Sequence, residues 1–249
     1  MTLKNRIVLI TGASRGIGAA TAKLLASRGA HVAVNYFQSE PAARAVVEEI
    51  LKADGKAIAV QGDVRDPAQV QKLVEEVRAR LGPIDTLVAN ASISFPVVPF
   101  VEFPWEAFEA KLLGELKAAF FCCKAVIPSM IERKSGCIIA ISSGLSRHPG
   151  EGFCAHSTAK SGLDSFMKSL ALELGPHGIR VNVVAPGLTE TDATSFLPKE
   201  RKDMMARMTP LRRIGQPEDV AGAVLALAGE TSRFLTGLYV PVSGGMQMT

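Results

Sequence analysis

Near the start of the chain, Thr11-Gly12-Ala13-Ser14-Arg15-Gly16-Ile17-Gly18 has the composition of a phosphate-binding turn. The apolar run Ile7–Ile10 precedes it and a helical period follows, so the turn joins a strand to a helix N-terminus. Gly12, Gly16 and Gly18 let the backbone bend and approach a pyrophosphate, and the helix presents unpaired N–H groups and its positive dipole end to the anion. An acidic residue at the end of the second strand would bind a ribose 2′-hydroxyl and repel a 2′-phosphate. Asn35, followed by Tyr36, stands there instead, and Arg15 offers a guanidinium. Missing repulsion and an available cation predict NADP(H). A second pattern is His156-x-x-x-Lys160. Positions four apart share a helix face. An imidazole, with an ordinary pKa near ~6.5, is a competent acid or base, and a neighbouring ammonium disfavours its charged form.

The elements that position these groups follow from the hydrophobic pattern. Apolar, β-branched runs at Arg6–Ile10, His31–Asn35, Ala57–Gln61, Thr86–Ala89, Gly136–Ile141, Arg180–Ala185 and Leu238–Val242 predict strands. Amphipathic stretches at Ile17–Arg28, Ala42–Ala53, Pro67–Leu81, Phe108–Arg133 and Ala155–Leu174 predict helices between them. This alternation predicts an α/β fold, a doubly wound (Rossmann) parallel sheet in a single domain spanning 1–249. Leu188–Gly215 breaks the alternation, carries Met204, Met205 and Met208, and reads as an irregular, mobile lid over a pocket.

Composition narrows the function classes. The chain is 47% hydrophobic and 21% charged, which describes a globular domain. Its net charge of +4 is spread thinly, with no basic run longer than two residues, so no nucleic-acid or membrane-surface patch is expected. No stretch reaches the ~18 consecutive apolar residues of a membrane span. A cytoplasmic protein is expected, since the N-terminus runs into a strand without the pattern of a secretory leader. Cys122, Cys123, Cys137 and Cys154 have neither disulfide nor metal-ligand spacing, and no metal site is expected.

The spacing G-x-x-x-G-x-G resembles the short-chain dehydrogenase/reductase family, and the likeness runs along nearly the whole chain. Asp63-Val64 resembles the family's adenine contact, Asn90-Ala91 its Asn-Ala-Gly turn, and Pro186-Gly187-Leu188-Thr189-Glu190-Thr191 the segment that meets the nicotinamide carboxamide. Gln216–Ala221 and Ser243-Gly244-Gly245 match its C-terminal marks. The resemblance implies Ser143 on the substrate oxygen and Lys160 on the nicotinamide ribose. His156 stands thirteen residues after Ser143, where the family has its catalytic tyrosine. Glu115 replaces the family's asparagine on the preceding helix, and Ser92 the glycine of the Asn-Ala-Gly turn. His156 and Glu115 are therefore expected to pair, with the carboxylate favouring the imidazolium and restoring proton transfer in altered form.

The general likeness is to 3-oxoacyl carrier-protein reductases. Those enzymes place arginines on two helices to hold an acidic carrier protein, where this chain has Pro128 and Leu172. A 3-oxoacyl-like or other small ketone is thus the expected substrate, with carrier-protein delivery left open, and a homo-oligomer (tetramer or dimer) the expected assembly. Arg147, His148 and Glu151 lie in the loop that would line the substrate mouth, as substrate contacts or as solvated loop residues. Two other readings stand beside carbonyl reduction: a non-redox isomerase, dehydratase or cyclase using His156 as base, and a catalytically silent nucleotide-binding protein.

Overall fold

In a computed structural model, which describes residues 2–248, seven parallel strands form one sheet in the order β3-β2-β1-β4-β5-β6-β7. They are β1 (Ile7–Ile10), β2 (His31–Tyr36), β3 (Lys56–Gln61), β4 (Thr86–Ala89), β5 (Gly136–Ile141), β6 (Ile179–Pro186) and β7 (Tyr239–Val242). A parallel sheet covered on both faces buries both sides of each strand, which is why these segments read as unbroken apolar runs. Successive residues of β1 alternate: Ile7 and Leu9 join one core, Val8 and Ile10 the other.

The first core packs under α3 (Pro67–Arg80), α4 (Trp105–Glu132) and α5 (Cys154–Leu174), through Leu73, Cys122 and Met167 among others. The second packs under α1 (Gly16–Ser27), α2 (Glu40–Lys52) and α7 (Pro217–Ala228), through Leu25, Val46 and Val224. The strand order reverses between β1 and β4, which leaves a crevice beyond their carboxyl ends. Every segment singled out for phosphate binding or catalysis emerges at that end of the sheet.

The excursion 188–215 departs from the irregular form expected of it. It is pinned at its base, where the Glu190 N–H donates to Gly215 O and the Gly215 N–H to Leu188 O, each at 2.9 Å. Between these ends it carries a helix, α6 (Lys199–Met208), none of whose residues is buried. Among the described residues, no helix is long and apolar enough to cross a membrane.

Candidate active site

The glycine turn is locked from β4. Thr11 Oγ1 accepts the backbone N–H groups of Asn90 and Ala91 at 3.0 Å, and Asn90 Nδ2 donates to Thr11 O at 2.9 Å and Gly12 O at 3.0 Å. Gly12 has a φ of 61°, and a Cβ there would stand 2.9 Å from Ala91 Cα. A Cβ on Gly18 would stand 2.6 Å from Asn90 Nδ2. α1 then begins at Arg15 with no side-chain cap and no acidic residue in its first turn. Its first N–H groups are left for an external anion, which is the fit a dinucleotide phosphate requires. Asn90 braces this turn, and Thr191 closes over Gly16 from the β6 side.

The structure corrects the expectation that the Asn35 side chain faces the ribose. Asn35 is buried, its Oδ1 accepting from the Gly12 N–H at 3.2 Å and its Nδ2 donating to Gly62 O at 3.1 Å. A carboxamide can satisfy a donor and an acceptor at once, so it ties the phosphate turn to the end of β3. Tyr36 is buried as well. At this edge of the crevice stand the exposed Arg15 and the half-buried Ser39, joined at 2.7 Å, with Asp192 Oδ2 3.9 Å from the guanidinium. Ser39 escaped the sequence reading because it lies three residues beyond the strand end. Asp63 gives its carboxylate to Arg65 at 2.6 and 2.8 Å, which holds it below the usual carboxylate range, and Val64 is in the core. Pro186 ends β6, and Thr189, buried, donates to Gly187 O at 3.1 Å.

Beyond β5, Ser143 caps a short 3-10 turn by accepting the Leu145 N–H at 3.2 Å. Two distant residues support this loop and were not found from sequence. Tyr239 on β7 donates to Ser143 O at 3.2 Å, and Gln247 packs its carboxamide against Gly144. Arg147 stacks on the Tyr239 ring at 3.6 Å, while His148 and Glu151 are exposed.

α4 and α5 bring a charged cluster into the core. Glu115, 2% exposed, forms an ion pair through Oε2 with Lys160 Nζ at 2.9 Å. Its Oε1 meets Lys111 Nζ at 2.5 Å, Ser92 Oγ at 2.5 Å and the Ile93 N–H at 3.1 Å. Lys160 also donates to Ile141 O at 2.8 Å, which anchors its ammonium at the carboxyl end of β5. Burial alone would push the Glu115 carboxyl up, but the two ammonium groups hold it well below the usual range.

The expected His156–Glu115 pair is corrected here: Lys111, absent from the sequence reading, takes the carboxylate from the other side. His156 instead stacks on Phe95, ring centroids 4.9 Å apart and planes 17° apart, and its buried Nδ1 has no hydrogen-bond partner. Burial, then Lys111 and Lys160, push its pKa down to about 3, with Glu115 opposing only in part. His156 is thus a neutral imidazole at neutral pH. The sign for stability follows: from about pH 6.5 downward the unfolded chain takes up a proton that the folded chain refuses until about 3. This residue makes stability fall with pH across that window, by up to about 1.4 kcal/mol per unit. Thermal melts from about pH 7 to 4 are expected to be less pH-dependent for His156→Phe than for the parent.

A seven-stranded parallel sheet with a glycine turn at its switch point, and a lysine one helical turn from an imidazole beside it, defines a Rossmann-like α/β protein. The model of the family described as Enoyl-(Acyl carrier protein) reductase matches residues 12–247. The chain is 42% identical over 249 residues to a 3-oxoacyl-[acyl-carrier-protein] reductase of Synechocystis, with 99% of this chain and 98% of that protein covered. It is 39% identical over 247 residues to an L-rhamnose 1-dehydrogenase (NAD(P)(+)) of Sphingomonas, with 98% and 97% covered. A solved short-chain type dehydrogenase/reductase from Mycobacterium ulcerans superposes with a TM-score of 0.92 at 27% identity, over 99% of this chain and 91% of that one. The chain belongs to the short-chain dehydrogenase/reductase family.

Proposed function

We propose that this protein is an NADP(H)-dependent reductase of a small carbonyl compound, working with His156 in its neutral form. The observation that carries the reading is the unpartnered, half-buried imidazole held one turn before Lys160 beside a buried cluster of net positive charge. When bound, NADPH supplies a hydride to the carbonyl carbon, and the carbonyl electron pair moves onto oxygen. Ser143 and the neutral His156 N–H donate hydrogen bonds to that oxygen, a role in which an imidazole polarises a carbonyl without being an acid. The Lys160 ammonium would donate to the ribose, and solvent supplies the proton that completes the alcohol. Comparing kcat/KM for His156→Gln and His156→Phe on a ketone panel tests this. Gln keeps an N–H donor and is expected to retain at least about tenfold more activity than Phe. Equal loss in both would contradict the hydrogen-bonding role.

The low basicity of His156 also supports a second reading, in which the same neutral imidazole and positive field stabilise an enolate in a non-redox isomerisation. Product formation without NADPH consumption would mark it.

Cofactor choice belongs to the same proposal. Arg15 and Ser39 offer two donors and no carboxylate stands at the end of β2, so NADPH is expected to bind more tightly than NADH. Charge-assisted bonds of about 1.5–3 kcal/mol predict a preference of roughly 10- to 100-fold, removed in Arg15→Ala. Equal affinities in the parent, by calorimetry, would refute it. The pinned segment 188–215 serves as the substrate lid. Exposed Leu113 and Phe120 on α4 support the homo-oligomer, and the neutral, exposed Pro128 and Leu172 support delivery of a free small molecule.

A further inference from the structure

Lys111, among the largest fully buried side chains, supplies the second cation of the cluster, and no contact with substrate or cofactor is assigned to it above. Its three N–H groups are all spent, on Ser92 Oγ at 3.0 Å, Ile93 O at 2.7 Å and Glu115 Oε1 at 2.5 Å. Its ammonium stands 4.8 Å from the centroid of Phe95, the ring on which His156 stacks. A single carboxylate, Glu115, would have neutralised Lys160 alone. Two ammonium groups against that carboxylate leave the buried cluster at net +1.

We infer that Lys111 is a positioning residue of this site: with Lys160 it clamps Glu115 from both sides, fixes the Phe95–His156 stack, and leaves a net positive charge facing the substrate oxygen. The inference rests on the reductase reading for its effect on turnover, and on the cluster geometry alone for its effect on His156. A carbonyl oxygen gains negative charge as it is reduced, so a fixed excess of positive charge acts more strongly on the transition state than on the ground state. The titratable and charged groups facing Lys111 are Glu115 on its own helix and Lys160 and the neutral His156 on α5; the 92–95 loop presents the Ser92 and Phe95 side chains with the Ile93 backbone. Burial, with help from Lys160, lowers the Lys111 ammonium to about 8 against the pull of Glu115. Above that pH the excess charge disappears.

The test uses the full-length protein and two variants, Lys111→Met and Lys111→Arg. The first readout is NMR titration of the His156 imidazole nitrogens, which needs neither substrate nor turnover. The parent and Lys111→Arg are expected to hold His156 neutral down to about pH 4, while Lys111→Met raises its midpoint by about one unit or more. The second is the pH profile of NADPH-driven carbonyl reduction. In the parent, kcat should fall above about pH 8, in Lys111→Arg that limb should vanish because a guanidinium stays charged. In Lys111→Met, kcat should fall about 10- to 100-fold with little change in KM for NADPH. An unmoved His156 midpoint in Lys111→Met, or an alkaline limb that survives in Lys111→Arg, would overturn the inference. If Lys111→Met does not fold, the limb in the parent and in Lys111→Arg decides. If no carbonyl is reduced, the reductase reading fails while the NMR titration still judges Lys111.

Discussion

Glu115→Leu is expected to destabilise the fold by about 3–5 kcal/mol, because it leaves two buried ammonium groups without their anion. For a chain of this length that corresponds to a melting temperature lower by roughly 6–20 °C. The reasoning depends on burial. Glu115 and Lys111 are 2% and 0% exposed and Lys160 is 3% exposed, so none of the three charges regains water when its partner is removed. A surface pair of the same i, i+4 spacing, such as Arg80 with Glu76, would be worth only a few tenths of a kcal/mol. Adding Lys111→Met to Glu115→Leu should recover part of the loss, since one of the stranded charges is then gone. A single-variant cost below about 1 kcal/mol by denaturant melts would mean that water reaches the cluster.

Lys160→Met is expected to reduce kcat/KM for NADPH-driven reduction by about 10³-fold or more, combining lost ribose binding with lost field at the substrate oxygen. Part of that loss should appear directly as weaker NADPH binding, about 10- to 100-fold, because the Lys160 ammonium is the proposed ribose donor. His156→Phe makes the informative contrast. It should depress kcat while leaving NADPH affinity near that of the parent, since the imidazole stacks on Phe95 while Thr11, Asn35 and Asn90 hold the glycine turn. Unchanged NADPH affinity in Lys160→Met, measured by fluorescence titration, would remove Lys160 from the ribose.

Much of the architecture was legible before any coordinates. Thr86–Ala89 and Gly136–Ile141 are strands to the residue, and the other five lie within one residue of their expected bounds, because central parallel strands must be apolar on both faces. α6 was invisible for the opposite reason: a helix with no buried residue has no apolar stripe to read. The phosphate turn declared itself through residue type and context, whereas the role of Asn35 did not, since its partners Gly12 and Gly62 lie 23 and 27 residues away in sequence. Ser39, Tyr239 and Gln247 share that difficulty. Lys111 is different, because a signal for it existed. It falls on the same helical stripe as Glu115, Ala118 and Cys122, all buried, so a lysine at that position is misread as solvated unless the stripe is followed through it. Recognising Glu115 in place of the family's asparagine located the cluster; it did not reveal that a second cation was already bound there.

The central claim is that the family's reduction chemistry runs here with a neutral imidazole in place of a phenol. Consumption of NADPH by the parent and by His156→Tyr, side by side on ketones, β-keto thioesters, quinones and enones, tests it most directly. Turnover by the parent is expected, and it should be lost, or moved in its pH dependence, when the tyrosine is introduced. Silence from the parent together with turnover by His156→Tyr would contradict it, showing an intact scaffold from which His156 has removed the reaction.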